Sequence, residues 1–315
     1  GGSSCGAGVS LQEGSAWIAL GSDTAGSVRV PACMTGCVGL KTSFGRWSLE
    51  GIFPLSPTLD TAGILTRTAE DALLGFCAID PAYQGRQAEL MKEVESLEPA
   101  SICISTGDTN LWDGCEPGIA EIVEEALGEL GRAGVRMVES TVSETEQAIE
   151  LFRIGSVPGI ELKEFLMSNL PSWIETADPV VGSRIKSSSS VDAGEYLRRL
   201  RVLKKLASDV QSHFETVDLI ACPTLPISPP ALAEVSAVEG YAPRNVASLR
   251  NTVVGNVLGL CGITLPVGLD ASGMPVGLQL LGKHGSDAKL LSMACRIEKI
   301  LGTSRQRLGI APCFK

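Results

Sequence analysis

The sequence predicts an α/β protein, in which helices cover a central sheet. Helical and strand patterns alternate along the chain, which is what this class of layered fold requires. With 315 residues, 44% of them apolar, the chain can bury one large core. Folds of this class commonly form one domain at this length, so we expect a single domain over residues 1–315.

Three stretches carry helix signals. The Thr68-Ala69-Glu70-Asp71 stretch has the form of an N-terminal capping box before an apolar run. Pro117 stands where a first helical turn tolerates proline, and apolar residues follow at helical spacing up to Gly134. The same spacing recurs over residues 191–214, with basic residues on the other side. A serine run at residues 187–190 is interpreted as the loop before that last helix.

Five short apolar runs bounded by turn residues are predicted to be buried strands. They cover residues 100–105, 135–138, 217–222, 262–267 and 276–281. Gly273 and Pro275 mark a turn before the last of them.

Charge and hydropathy favour some classes of partner over others. The net charge of −10 comes from acidic residues spread along the chain, which disfavours nucleic acid as a partner. No apolar run reaches the roughly eighteen uncharged residues that a membrane span needs, and we expect no charged-then-apolar leader. We therefore expect a cytoplasmic protein without a membrane partner, and the sequence leaves a homodimer open.

The cysteines and histidines offer little for a metal site. Ten cysteines are scattered without CxxC pairing, Cys33 and Cys37 being the only close pair, and there are only His213 and His284 to join them. We interpret the cysteines as buried reduced thiols and expect no metal and no cofactor. The two histidines stand in no motif that suggests a Ser-His-Asp triad.

Two small-residue stretches are candidates for chemistry. The chain opens GGSSCGAG, where glycines flank Ser3 and Ser4 and allow unusual backbone angles. Further on, GSDTAGSVRVP places Ser27 after Ala25 and Gly26. Residues this small leave successive backbone N–H groups uncovered, and such groups can form the anion-binding nest that an oxyanion hole requires.

These stretches closely resemble the amidase signature family. The resemblance rests on GGSS at the start, ALGSDTAGSVRVPA, GLKTSFGR and PLSPTLDTAGILTR, and on DLIACPTLPISPP and NVLGLCGITLPVGLDASGMPVGLQLLG in the C-terminal half. It covers most of the chain, with residues 78–140 and the middle up to residue 200 matching loosely. It implies a mixed, twisted central sheet covered by helices on both faces, and hydrolysis of an amide C–N bond.

The resemblance also implies a triad of two serines and a lysine. Ser27 stands at the nucleophile position, and Ser3 at the position of a bridging serine that follows a cis peptide bond, here Gly2–Ser3. A neutral lysine acts as the base through the bridging hydroxyl. We therefore expect the Ser3 hydroxyl to lie roughly 2.6–3.2 Å from that of Ser27.

Other motif residues have supporting roles in this comparison. The amides of Thr24, Ala25 and Gly26 are expected to form the oxyanion hole. Ser4, Asp23 and Arg29 match positions in and around the family's site, and we expect them to orient its loops by hydrogen bonds.

The lysine base is not assigned within this sequence. Lys41 in GLKTSFGR matches a structural segment of the family, so we predict that it is not the base. The family's catalytic lysine lies well upstream of the GGSS motif, and we expect it on a segment before Gly1. The chain also has GGSSCG, TAGS and KTS where GGSSGG, TGGS and KPT are usual.

Several functions remain open at this point. A small carboxamide is the expected substrate, and the AGS variant also appears in family members that hydrolyse urea-derived amides. One branch of the family consists of amidotransferase subunits that act on misacylated tRNA, but that branch usually carries glutamine before the proline, where this chain has Val30. A non-catalytic scaffold or partner subunit is the alternative outside catalysis.

Overall fold

A computed structural model of the protein describes residues 2–154, 157–179, 182, 185 and 191–311. Eight strands form one sheet: β1 (Ile18–Asp23), β2 (Val38–Lys41), β3 (Thr61–Thr66), β4 (Cys103–Thr106), β5 (Arg136–Glu139), β6 (Leu219–Pro223), β7 (Cys261–Leu269) and β8 (Pro275–Gly282). Their order is β1-β3-β2-β7-β8-β6-β4-β5. Neighbours are antiparallel except β6–β4 and β4–β5, which are parallel. The predicted mixed sheet is confirmed.

The α-helices are α1 (Cys5–Gln12), α2 (Arg29–Thr35), α3 (Ala69–Ile79), α4 (Gln87–Ser96), α5 (Thr109–Trp112), α6 (Ile119–Arg132), α7 (Glu144–Arg153), α8 (Val157–Asn169), α9 (Trp173–Thr176), α10 (Ala193–Asp209), α11 (Val238–Leu249), α12 (Thr252–Val257), α13 (Asp287–Leu301) and α14 (Ser304–Leu308). Short 3₁₀ helices span Pro99–Ser101, Val210–Glu215 and Leu232–Val235. No described helix is both long and apolar enough to span a membrane.

The helices and strands follow the sequence signals with shifted ends. Thr68 caps α3 by accepting a hydrogen bond from the Asp71 N–H, as the capping pattern predicts. Pro117, however, lies before α6 rather than in its first turn, because Gly118 adopts a φ of 89° and serves as the N-cap. The strand predicted from residue 100 begins only at Cys103, since Pro99–Ser101 forms a 3₁₀ turn. The serine run at residues 187–190 lies outside the described residues.

Helices cover both faces of the sheet. Successive side chains of a strand point to opposite faces, and Leu280 and Leu281 accordingly belong to two different hydrophobic clusters. The first cluster packs residues of α3, α4, α6 and α13 against the sheet, and the second packs residues of α7, α10 and α12 against it. The sheet is thus buried at its centre, and β1 forms one edge of the described sheet, where Leu20 is exposed.

The described cysteines are free thiols. Most are buried, as predicted, and burial raises the pKa of Cys33, Cys222 and Cys261 to about 12. Cys5 departs from the prediction, because it is the first residue of α1 and lies on the exposed side of that helix.

Candidate active site

Residues 23–29 carry the predicted nucleophile, and we call them the nucleophile loop. They join the end of β1 to the start of α2 and present Ser27 half-buried at this junction. Gly26 within it has a φ of 135°, which favours glycine strongly. A β-carbon at Gly26 would lie 2.2 Å from the Thr252 hydroxyl oxygen. The loop therefore tolerates no side chain directly before Ser27.

Fixed carbonyl groups orient the peptide planes of this loop. In a trans peptide the carbonyl and the following N–H point in opposite directions, so a bound carbonyl sets the direction of that N–H. The Ala25 carbonyl accepts a hydrogen bond from the Thr252 hydroxyl at 2.6 Å, and the Gly26 carbonyl accepts one from the Val30 N–H at 2.7 Å. Within the described chain, the N–H groups of residues 25–27 donate to no acceptor. They are available to an oxyanion beside Ser27.

A buried ion pair supports the loop from behind. Arg29 and Asp23 are both fully buried, and Arg29 contacts the two carboxylate oxygens of Asp23 at 2.9 and 3.1 Å. Asp23 also accepts from the N–H groups of Val28 and Arg29 at 3.2 and 3.4 Å. Burial acts to raise the pKa of Asp23, but the charge and hydrogen bonds of Arg29 outweigh it and hold that pKa below its ordinary value. These bonds join the two ends of the loop, and the role of the pair in the reaction stays a prediction.

Two residues from the C-terminal half complete this network, and the sequence analysis did not identify them. Asn256 accepts from Arg29 at 2.7 Å and donates to the backbone carbonyl and carboxylate of Asp23 at 2.8 and 3.0 Å. Gln279 accepts from the remaining Arg29 nitrogen at 2.7 Å. Both lie in the C-terminal stretch that carried the family resemblance, and polar residues within such apolar runs were the available signal.

The serine turn, residues 2–5, lies against the nucleophile loop. The Gly2–Ser3 peptide bond is cis, as the resemblance implies. The Ser4 N–H donates to the Ser27 carbonyl at 3.1 Å, and the Ser4 side chain covers Gly21, where a β-carbon would approach its hydroxyl oxygen to 2.6 Å. The predicted hydrogen bond between the Ser3 and Ser27 hydroxyls is not found among the described residues, and Ser3 is exposed.

Lys41 lies on another strand than the loop that carries Ser27, and its charge acts on the buried Asp23. It ends β2, which β3 separates from β1, and its fully buried ammonium donates to the Thr42 carbonyl at 2.7 Å. Burial, reinforced by the positive charge of Arg29, lowers the pKa of Lys41 to about 8. That Lys41 is not the base stays a prediction from the family resemblance.

Comparisons with known proteins identify the family. The profile of the Amidase family matches residues 1–291. The chain belongs to the amidase family. It is 46% identical over 309 residues to 2-amino-5-chloromuconic acid deaminase of Comamonas testosteroni, covering 98% of this chain and 66% of that protein. It is 32% identical over 349 residues to one of the subunits of the glutamyl-tRNA(Gln) amidotransferase of Moorella thermoacetica, covering 99% of this chain and 69% of that protein.

Solved structures of amidases share the fold. The crystal structure of one amidase superposes with a TM-score of 0.82 at 27% identity, covering 96% of this chain and 67% of that one. A 6-aminohexanoate cyclic dimer hydrolase has a TM-score of 0.84 at 21% identity, covering 98% and 70% respectively. This amidase-family chain spans 66% of the deaminase and 53% of the fatty acid amide hydrolase of Medicago truncatula.

Proposed function

We propose that this protein hydrolyses the C–N bond of a small carboxamide through an acyl-enzyme on Ser27. The observation that carries the proposal is the set of N–H groups in residues 25–27, which donate to no acceptor in the described chain and of which those of Gly26 and Ser27 are oriented by the bound carbonyls before them. Donors fixed in advance around a developing negative charge are commonly the largest single contribution to acyl transfer. The half-buried Ser27 hydroxyl stands beside them.

In the proposed reaction the Ser27 oxygen attacks the carbonyl carbon and its proton passes to the base. By resemblance to the family, the amides of Thr24, Ala25 and Gly26 form the oxyanion hole, and the N–H groups of Ala25 and Gly26 are among those that donate to no acceptor in the described chain. Collapse of this intermediate breaks the C–N bond, the returning proton leaves with ammonia or an amine, and water then hydrolyses the ester. Ser3 is the proposed proton relay and an upstream lysine the proposed base, both by resemblance to the family.

Ammonia release from an unsaturated amino acid is a second candidate. It is favoured by the 46% identity to 2-amino-5-chloromuconic acid deaminase, which extends over 98% of this chain. The amidotransferase role has weaker support because Val30 stands where that branch usually carries glutamine. The scaffold role has weaker support because this chain keeps both serines and the buried ion pair behind the loop of Ser27.

Ammonia release by the full-length protein tests the proposal. Small carboxamides and 2-amino-5-chloromuconic acid are the substrates, and the Ser27→Ala variant is the control. We expect one class to be hydrolysed and Ser27→Ala to reduce turnover by at least about 10⁴-fold. Turnover that survives in Ser27→Ala would contradict the nucleophile, and a folded wild-type protein without turnover on either class would favour the scaffold.

A further inference from the structure

The Thr24 side chain is bound to a carboxylate that the proposed reaction does not use. Thr24 and Asp60 are buried, and the Thr24 hydroxyl donates to Asp60 at 2.5 Å. The other Asp60 oxygen accepts from the N–H groups of Leu55 and Ser56, both at 2.9 Å. Asp60 thereby ties the nucleophile loop to residues 55–60, which we call the support segment.

A second carboxylate holds the support segment from its other side. Glu161 of α8 accepts from the Ser56 hydroxyl at 2.5 Å, from the Thr58 hydroxyl, and from the Thr58 N–H at 3.3 Å. Tyr196 of α10 donates to the same carboxylate at 2.7 Å. Burial and the Glu161 carboxylate raise the pKa of Tyr196 to about 12, which keeps its hydroxyl a donor. Glu161 therefore joins the support segment to two helices.

Thr24 is the loop residue that needs such a support. The Asp23 carbonyl accepts hydrogen bonds from Asn256 and Thr61. The Ala25 carbonyl accepts one from Thr252, and the Gly26 carbonyl accepts one from Val30. No hydrogen bond to the Thr24 carbonyl is found in the part of the chain that the structure describes. The orientation of the peptide after Thr24, which carries the Ala25 N–H, therefore depends on the Thr24 side chain and its bond to Asp60.

We propose that Asp60 and Glu161 are positioning residues that hold Thr24, and through it the oxyanion-binding amides, in the reactive geometry. This inference rests on the proposed function, because it assigns a task to residues around the same site. Small displacements of such donors from the oxyanion reduce the rate strongly, since their contribution depends on being fixed before the reaction.

The chemistry of the partners explains why both residues are carboxylates. Every partner of Asp60 and Glu161 described above is a donor, and an ionised carboxylate accepts on both of its oxygens. An amide of the same shape has one oxygen and one NH₂ group. In Asp60→Asn or Glu161→Gln, the NH₂ group would face one of these donors. A hydroxyl can rotate and accept a hydrogen bond from the NH₂ group, whereas a backbone N–H can only donate and would be left unpaired.

The experiment measures steady-state kinetics and thermal unfolding of the full-length protein and its variants. Asp60→Asn and Glu161→Gln are expected to lower kcat and kcat/KM by about tenfold or more, with KM and the unfolding midpoint little changed. Glu161→Asp, which keeps both acceptor oxygens, should recover part of the loss. Glu164→Gln is the matched control, because Glu164 lies on the exposed side of the same helix and accepts from Ser168 at 2.7 Å.

A double-mutant cycle with Thr24→Val separates positioning from a general structural role. Once the Thr24 hydroxyl is gone, Asp60→Asn should reduce kcat little further, because its path to the amides is already broken. Fully additive losses, or lower unfolding midpoints with unchanged kcat, would overturn the inference. If Asp60→Asn fails to fold, the half-buried Glu161 and Tyr196 provide the same test through Glu161→Gln and Tyr196→Phe.

The two proposals fail in different ways. An active wild-type protein that loses turnover in Ser27→Ala but keeps it in Asp60→Asn and Glu161→Gln would overturn this inference and leave the proposed function intact. A folded wild-type protein without turnover on the tested substrates would overturn both.

Discussion

The nucleophile loop and the serine turn lie side by side but are held in different ways. The loop is backed by a fully buried Asp23–Arg29 pair whose charged atoms bind Asn256, Gln279 and backbone N–H groups. The serine turn is exposed at Ser3 and joins the loop through one backbone hydrogen bond, from Ser4 to Ser27. The oxyanion-binding half of the proposed site is therefore rigidly built, while the proton-relay half rests on few contacts within the described chain.

The largest effect on stability should come from the buried pair. Arg29→Met would leave the Asp23 carboxylate buried without its cation, and we expect the free energy of unfolding to fall by about 3–5 kcal/mol. Chemical denaturation measures the change. Arg153→Met, which breaks the exposed pair with Glu150, is the control and should leave stability unchanged. Equal effects in the two variants would show that the loop is not held by its ion pair.

A methyl group at Gly26 should have the next largest effect. Gly26→Ala combines a left-handed backbone with a clash against Thr252, and we expect a loss of about 3 kcal/mol. Gly45→Ala is the matched control, because Gly45 also has a positive φ but no atom would lie within 4 Å of its β-carbon. A Gly26 variant no less stable than the Gly45 variant would mean that the loop can move away from Thr252.

Lys41 should give a smaller, pH-dependent effect. Because its folded pKa of about 8 lies below its ordinary 10.5, the folded protein disfavours the charged form. Wild-type stability should therefore rise between pH 8 and 10.5, where the unfolded chain still holds the proton. Lys41→Met has no such group, so its free energy of unfolding relative to that of wild type should fall by about 2 kcal/mol between pH 7 and pH 10.

Denaturation of both proteins at pH 7 and pH 10 measures this difference. Lys92→Met, at an exposed position, corrects for the loss of one positive charge. If Lys41→Met and wild type differ in stability by the same amount at both pH values, the pKa of Lys41 is not lowered by folding.

The serine turn should show the smallest effect on stability and a large effect on rate. Ser3→Ala removes an exposed hydroxyl, so the unfolding midpoint should barely change. As the proposed relay, Ser3 should nevertheless contribute about 10²–10⁴-fold to kcat. Ser4→Ala should affect kcat less, because Ser4 holds the loop through its backbone N–H. Unchanged kcat in Ser3→Ala would remove Ser3 from the mechanism.

The sequence predicted the parts of this site that local motifs encode. Residues 19–32 contain the strand end, the glycine before Ser27 and the helix start, so short-range geometry could be anticipated there. Ser3 and Ser27 were assigned from the family motif, and the cis bond before Ser3 followed from the same resemblance.

Long-range partners could not be predicted in the same way. Arg29 binds residues more than 200 positions away, and a polar residue within an apolar run indicates a buried hydrogen bond without indicating that Arg29 is the partner of Asn256 and Gln279. The Glu161 contacts likewise depend on how α8 packs, in a region where the resemblance is loose. The predicted hydrogen bond between Ser3 and Ser27 required exact side-chain placement, which the motif does not specify.

Covalent labelling of the full-length protein tests the central claim most directly. A fluorophosphonate reacts with an activated serine, losing fluoride, and leaves a mass that peptide mapping can locate. The account predicts one label, on the peptide containing Ser27, and none in Ser27→Ala. A label on another serine, or equal labelling of wild type and Ser27→Ala, would contradict the assignment of Ser27 as the nucleophile.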